Sequence, residues 1–148
     1  MDAALDVACG TGLSTKALLP IASHVYGTDS SEQMIHFAKH TDTIHYSIAE
    51  ADNQPFPDNT FDLVTVCSGV HWFNIDNFLR EVHRIVKSGG WLVLYDNFFI
   101  ADMPGQDNFR SWFTDVYMDK FPAPARNNTY EWSQANLQPK QLEFVHEE

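Results

Sequence analysis

Basic residues are scarce in this chain of 148 residues, which has 9 Lys and Arg against 20 Asp and Glu and a formal net charge of -11. Proteins that bind nucleic acid need clustered positive charge, because they displace counterions from the phosphate backbone. The few basic residues here are scattered along the sequence. The composition therefore predicts that nucleic acid is not a partner.

Cysteines are also few, and long apolar runs are absent from the sequence. The two cysteines, Cys9 and Cys67, lie too far apart for a metal-binding or redox motif, which predicts reduced thiols and no metal site. No apolar run is long enough to cross a bilayer, and no charged and then apolar leader opens the chain. The sequence therefore predicts a cytoplasmic protein that does not contact membranes.

The remaining composition predicts one domain over residues 1–148, because 44% hydrophobic residues are enough for one core and too few for two ordinary domains. Short apolar runs alternate with helical patterns, which predicts an α/β fold, a three-layer Rossmann-like sandwich with a mostly parallel sheet. The predicted strands are Ala3 to Ala8, His24 to Thr28, Ile44 to Ile48, Phe61 to Cys67 and Trp91 to Asp96. The predicted helices between them are Leu13 to Leu19, Ser31 to Lys39 and Asp76 to Val86.

A glycine-rich turn follows the first predicted strand. In Asp6-Val7-Ala8-Cys9-Gly10-Thr11-Gly12 the glycines let the backbone approach a ligand closely. The next strand is followed by Asp29, at the point where nucleotide-binding α/β folds place the carboxylate that holds a ribose. The two features together predict a nucleoside-binding site.

Charge distinguishes between two nucleoside ligands. Thr15 replaces the third glycine of the dinucleotide motif, and Asp6 would repel a pyrophosphate. A carboxylate here suits a ligand with a cationic end, such as S-adenosylmethionine, which has an ammonium and a sulfonium group. At this point the sequence resembles the class I S-adenosylmethionine-dependent methyltransferases, whose first motif is an acid, three residues and then Gly-x-Gly, matched by Asp6, Gly10 and Gly12.

The resemblance continues into two further motifs. In the second, Asp29 would hold the ribose hydroxyls and Met34 would cover the adenine, although Met34 also suits a core position on its helix. In the third, Glu50 would accept a hydrogen bond from the adenine amino group beside the Ala51 backbone; most relatives have Asp there, and Asp52 is a substitute. The resemblance implies a cofactor site of Asp6, Ala8, Gly10, Thr11, Gly12, Asp29, Ser30, Met34, Glu50, Ala51 and Ser68.

The segment after the fourth strand, Cys67 to Asn74, indicates the acceptor class. It lacks the sequences typical of methyltransferases that modify nucleic-acid bases, and it resembles small-molecule methyltransferases, including trans-aconitate and quinone-biosynthesis relatives. The resemblance therefore implies a small-molecule methyl acceptor. His71 is a candidate base that takes a proton from the acceptor, or else a histidine hydrogen-bonded within its loop. Asp96 and Asn97 either contact the acceptor or only terminate their strand.

The resemblance is strong over residues 1–97 and weaker over 98–148. Asn108 to Phe121 is predicted as a helix with an aromatic stripe in the core, and Leu142 to His146 as a late strand. Because the family has further final strands, the sheet is expected to be incomplete, as in a chain truncated at both ends. We expect either self-association through the edge of the fifth strand or a loosely held C-terminal third. The alternatives to a methyltransferase are a nicotinamide-dependent oxidoreductase and a non-catalytic interaction module.

Overall fold

The computed structural model describes residues 1–38, 43–96, 101–106, 108–122, 126, 129–143 and 145. Five parallel strands form one sheet in the order β3-β2-β1-β4-β5, which confirms the predicted α/β fold. The strands are β1 Ala3–Val7, β2 His24–Asp29, β3 Ile44–Ile48, β4 Phe61–Cys67 and β5 Val86–Tyr95. The α-helices are α1 Leu13–Lys16, α2 Glu32–Phe37, α3 Ile75–Ile85, α4 Phe109–Trp112, α5 Met118–Lys120 and α6 Gln134–Leu137.

Side chains on the two faces of the sheet form two separate apolar clusters. Along β1, alternate residues face opposite ways, since successive side chains of a strand point to opposite faces. Leu5 packs in the cluster under α3, whereas Ala4 packs in the cluster with Leu18, which follows α1. The sheet thus lies between helices on both faces, as predicted.

The α3 helix provides most of the helical part of the larger cluster. Asn74 caps its first turn by accepting a hydrogen bond from the Asn77 N–H at 3.2 Å. Its apolar residues recur every three or four positions, so that one face of the helix is buried against the sheet. The buried residues of this helix are Ile75, Phe78, Leu79, Val82 and Ile85.

The fifth strand begins earlier than predicted, because α3 passes into it without an intervening turn. Val86 pairs with Phe61, and the next pair is Trp91 with Leu63, so that residues 87–90 loop out of the register. The Asp62 carboxylate stabilises this point of the sheet: it lies 3.1 Å from the Lys87 ammonium and also accepts two backbone N–H bonds from the start of β1.

Beyond β5, the 3-10 helix Gln138–Lys140 contacts α3, where the Lys140 ammonium lies 2.9 Å from the Asp76 carboxylate. Leu142 and Glu143 form no strand, so the predicted late strand is wrong there. Phe144 and His146 of that predicted strand lie outside the described residues. Asn97, predicted to contact the acceptor or to terminate β5, also lies outside them. No described strand pairs with the outer edge of β5. Self-association through this edge stays a prediction.

The predicted helix near residue 110 forms, but its aromatic stripe is not in the core. It consists of α4, the π-helical turn Phe113–Tyr117 and α5, and none of its residues is buried. The aromatic rings pack along the helix instead, with ring centroids of Phe113 and Tyr117 at 5.3 Å and of Tyr117 and Phe121 at 5.1 Å. The helical spacing was predicted correctly, but the predicted burial was wrong, because no described part of the sheet covers the stripe.

Phe78 and Phe37 offer a matched test of this packing, since Phe78 is fully buried and Phe37 is 69% exposed. We expect Phe78→Ala to lower the free energy of unfolding by about 3–5 kcal/mol, because it removes a buried ring and leaves a cavity. Phe37→Ala should change it by less than about 0.5 kcal/mol. Urea unfolding of both variants measures the difference, and equal losses would contradict the assignment of the core.

Candidate cofactor site

A cleft of about 460 Å³ opens where β1 and β4 end. These two neighbouring strands mark the place where the strand order reverses, and ligands of open α/β sheets bind in the crevice at such a point. The lining residues come from the glycine-rich turn, the start of α1 and the ends of β4 and β5: Ala8, Cys9, Gly10, Thr11, Leu13, Ser14, Cys67 and Tyr95.

The glycine-rich turn passes through three residues with positive φ, at Ala8 (55°), Gly10 (54°) and Gly12 (81°). A Cβ atom at Gly10 would have no atom within 4 Å, so this position borders open space. A Cβ atom at Gly12 would overlap the Tyr46 hydroxyl group. Glycine at position 12 therefore makes room for a side chain of β3, whereas Gly10 leaves its backbone open to a ligand.

Asp6 has no exposed surface. Its Oδ2 atom accepts hydrogen bonds from the Ser14 hydroxyl at 2.6 Å and the Thr15 hydroxyl at 2.8 Å, and its Oδ1 atom accepts one from the Thr65 hydroxyl at 2.9 Å. Burial raises the pKa of the Asp6 carboxyl, an effect that these hydrogen bonds oppose and the Asp29 charge adds to. Of the three hydroxyl groups, only that of Ser14 belongs to a residue lining the cleft.

Asp29 connects the end of β2 to the glycine-rich turn. One carboxylate oxygen accepts the Gly10 N–H and the other accepts the Ser31 N–H, each at 2.9 Å. Ser31 caps α2, because its hydroxyl accepts a hydrogen bond from the Met34 N–H at 3.3 Å. The neighbouring Ser30 is exposed. The half-buried Asp29 carboxylate retains acceptor capacity for a ligand beside Gly10.

Met34 lies in α2 with 44% of its surface exposed. The alternative that it belongs to the core is therefore wrong. The predicted contact with an adenine stays a prediction, and it requires an exposed apolar side chain of this kind near Asp29.

The turn after β3 places Glu50 and Ala51 near the same edge of the sheet. The Glu50 side chain is exposed, and its backbone carbonyl accepts the Asn53 N–H at 3.1 Å and the Gln54 side-chain N–H at 2.9 Å. Its substitute, Asp52, accepts a hydrogen bond from the Asn77 amide of α3 at 3.4 Å. This contact turns one carboxylate oxygen of Asp52 towards α3, and the choice between Glu50 and Asp52 stays a prediction.

Arg84 of α3 stabilises the loop that follows this turn. Its guanidinium donates to the Gln54 carbonyl at 3.1 Å and the Phe56 carbonyl at 2.8 Å. It also forms ion pairs with Asp58 at 2.8 Å and Glu81 at 2.6 Å. These contacts connect the predicted adenine-binding turn to the core helix.

On the other side of the cleft, Ser68 and Asp96 follow β4 and β5. The Ser68 hydroxyl donates to Asp96, and the Asp96 carboxylate lies 3.0 Å from the Arg126 guanidinium. His71, in the 3-10 helix Val70–Trp72, is half-buried beside the Trp72 ring and forms no hydrogen bond with another described residue. The alternative that His71 is hydrogen-bonded within its loop therefore has no support among the described residues.

Several residues of the cleft carry no motif that predicts their place there. Cys9 and Cys67, distant in sequence, line the same cleft, and only the pairing of β1 with β4 brings them together. Burial raises the pKa of Cys9 to about 12, with contributions from Asp6 and Asp29, and raises the pKa of Tyr95 to about 12. Both groups are therefore protonated at neutral pH. Among the described residues no cluster suits a metal ion, and no helix is long and apolar enough to cross a bilayer.

Comparison with known proteins indicates the family of this chain. Residues 5–94 match a family described as a methyltransferase domain. The demethylmenaquinone methyltransferase of Corynebacterium urealyticum is 35% identical over 84% of this chain and 53% of that enzyme. The structure of the YcgJ protein of Bacillus subtilis is similar with a TM-score of 0.67, at 23% identity over 94% of this chain and 59% of that one.

A further solved structure, an S-adenosylmethionine dependent methyltransferase from Mesorhizobium loti, has a TM-score of 0.57 and 29% identity over 62% of this chain and 44% of that one. The chain thus spans about half the length of these relatives. The nicotinamide-dependent oxidoreductase, left open by the glycine-rich turn, finds no support among them.

Gly12 and Gly10 should respond differently to alanine. We expect Gly10→Ala to cost about 1–2 kcal/mol of unfolding free energy, because alanine is disfavoured at positive φ. Gly12→Ala should cost about 2–5 kcal/mol, since overlap with Tyr46 adds to the same strain. In a Tyr46→Ala background the cost of Gly12→Ala should fall to that of Gly10→Ala. Equal costs in the parent background would contradict the packing of Tyr46 on Gly12.

The raised pKa of Asp6 predicts a pH dependence of stability. Between the unfolded pKa, about 3.9, and the higher folded value, the folded state binds more protons, so stability falls as pH rises. Asp6→Asn removes this titration. Urea unfolding at several pH values above about 4 should show the stability of the parent chain relative to Asp6→Asn decreasing with pH. A constant or increasing difference would contradict the raised pKa.

Proposed function

This chain belongs to the methyltransferase domain family, and we propose that it binds S-adenosylmethionine for methyl transfer to a small-molecule acceptor. The observation that carries the proposal is the contact of Asp29 with the Gly10 N–H at the edge of the cleft. It places a carboxylate with remaining acceptor capacity beside backbone that a ligand can approach. This is the arrangement that a ribose with two hydroxyl groups requires.

The described residues fit a nucleoside with a cationic tail. Asp29 would hold the ribose, with Ser30 beside it, and Met34 would cover one face of the adenine. Glu50 and the Ala51 backbone would form hydrogen bonds with the edge of the adenine. The tail would lie along the glycine-rich turn in the cleft, bordered by Ala8, Gly10 and Thr11. Ser68 does not line the cleft but follows the lining residue Cys67, and Gly12 would support the turn through its contact with Tyr46.

The chemistry that this cofactor supplies when bound is an activated methyl group on a sulfonium, so the protein mainly aligns the acceptor. The acceptor would enter from the side of β4 and β5. His71 is proposed to take a proton from its hydroxyl or acidic group. Asp96, held by Ser68 and Arg126, would bound the acceptor at the rim of the cleft.

Calorimetric titration of the full chain tests this proposal. S-adenosylhomocysteine should bind, and the reduced nicotinamide dinucleotide should not. Asp29→Ala should weaken S-adenosylhomocysteine binding by about 1.5–3 kcal/mol, because charge-assisted hydrogen bonds to the ribose are lost. Methyl transfer is then sought with a panel of small-molecule acceptors.

Glu32→Ala is the matched control, since it removes an exposed acidic side chain three residues from Asp29 and should leave binding unchanged. Unfolding without ligand reports separately on the loss of the two backbone hydrogen bonds of Asp29. Unchanged affinity in Asp29→Ala would overturn the ribose assignment, and preferential binding of the dinucleotide would overturn the proposed cofactor.

A further inference from the structure

Asp6 presents no surface to the cleft, although a carboxylate before the glycine-rich turn suits a cationic ligand. Its two oxygens are enclosed by the hydroxyl groups of Ser14, Thr15 and Thr65. A ligand in the cleft cannot touch Asp6 unless these contacts break. Asp6 can therefore act on a bound cation only through its electric field or through a residue that lies between them.

Ser14 lies between Asp6 and the cleft. It lines the cleft and is partly exposed, whereas Thr15 and Thr65 are buried. A serine hydroxyl has one proton to donate and two lone pairs that accept. Because the proton is directed to Asp6 at 2.6 Å, the Ser14 oxygen is left to act as an acceptor.

We propose that the Ser14 oxygen accepts a hydrogen bond from the ammonium group of the bound cofactor, and that Asp6 is a positioning residue which fixes the polarity of this hydroxyl. The inference rests on the proposed function. An ammonium group has donors and no acceptor, so it requires an acceptor in this position. A hydroxyl whose proton is already committed to a carboxylate provides one, and the carboxylate strengthens it by polarisation.

Calorimetry with two ligands isolates this contact. S-adenosylhomocysteine carries the ammonium group, and its deaminated analogue has hydrogen in place of the amino group and is otherwise the same. We expect Ser14→Ala to weaken S-adenosylhomocysteine binding about 10-fold and to leave the affinity for the analogue unchanged. Thr15→Val is the matched control: it removes another hydrogen bond to the same Asp6 oxygen without altering the cleft wall, and should preserve the ratio of the two affinities.

Asp6→Asn tests the positioning role. Its neutral amide removes the charge that polarises the Ser14 hydroxyl, and where its NH2 group faces Ser14 the hydroxyl must turn its proton outward. The preference for S-adenosylhomocysteine should therefore fall in Asp6→Asn, and adding Ser14→Ala should lower it no further. A merely structural role of Asp6 would weaken both ligands equally. If Asp6→Asn does not fold, Ser14→Ala and Thr15→Val still decide the assignment of Ser14.

The possible results separate this inference from the function on which it rests. If the parent chain binds S-adenosylhomocysteine and Ser14→Ala keeps the preference for it over the analogue, the Ser14 contact is wrong and the proposed function stands. If Ser14→Ala weakens the binding of both ligands equally, the Ser14 contact is likewise wrong and the proposed function stands. If the parent chain binds neither ligand, the proposed function is overturned, and the role of Ser14 with it.

Discussion

A single buried carboxylate determines how the centre of this fold is arranged. Asp6 in β1 accepts hydrogen bonds from hydroxyl groups of α1 and β4. The elements β1, α1 and β4 therefore meet at one side chain. A buried charge is costly unless hydrogen bonds compensate it. The three hydroxyl groups therefore constrain both the strand pairing and the path of the turn, and the cleft lies against one of them.

Local patterns were sufficient to predict most of the sheet. Phe61–Cys67 was predicted with the bounds that β4 has, because an apolar run lies there between turn residues. Asp29 is predicted as a ribose-binding residue because nucleotide-binding α/β folds place a carboxylate at the end of the second strand. Its hydrogen bonds to the Gly10 and Ser31 N–H groups were not predicted. The early start of β5 was not predicted, since four residues loop out of its register and no local signal marks the pairing of Val86 with Phe61.

The details of the site depend on contacts between distant residues, which one sequence does not display. Gly12 resembles a ligand-binding glycine, yet the side chain that approaches it is Tyr46 of β3. The aromatic spacing after Asn108 indicates a helix but does not say whether a partner covers it. Arg126 carried no recognisable motif and is identified at the cleft only by its ion pair with Asp96.

The ion pairs described above also shape the electric field around the molecule. Arg84, Lys87, Arg126 and Lys140, four of the 9 Lys and Arg, each lie beside a carboxylate. Their charge is compensated locally, and the remaining excess of acidic groups produces a negative potential at longer range. Cationic ligands should therefore reach this protein faster at low ionic strength, whereas anionic acceptors would approach it more slowly.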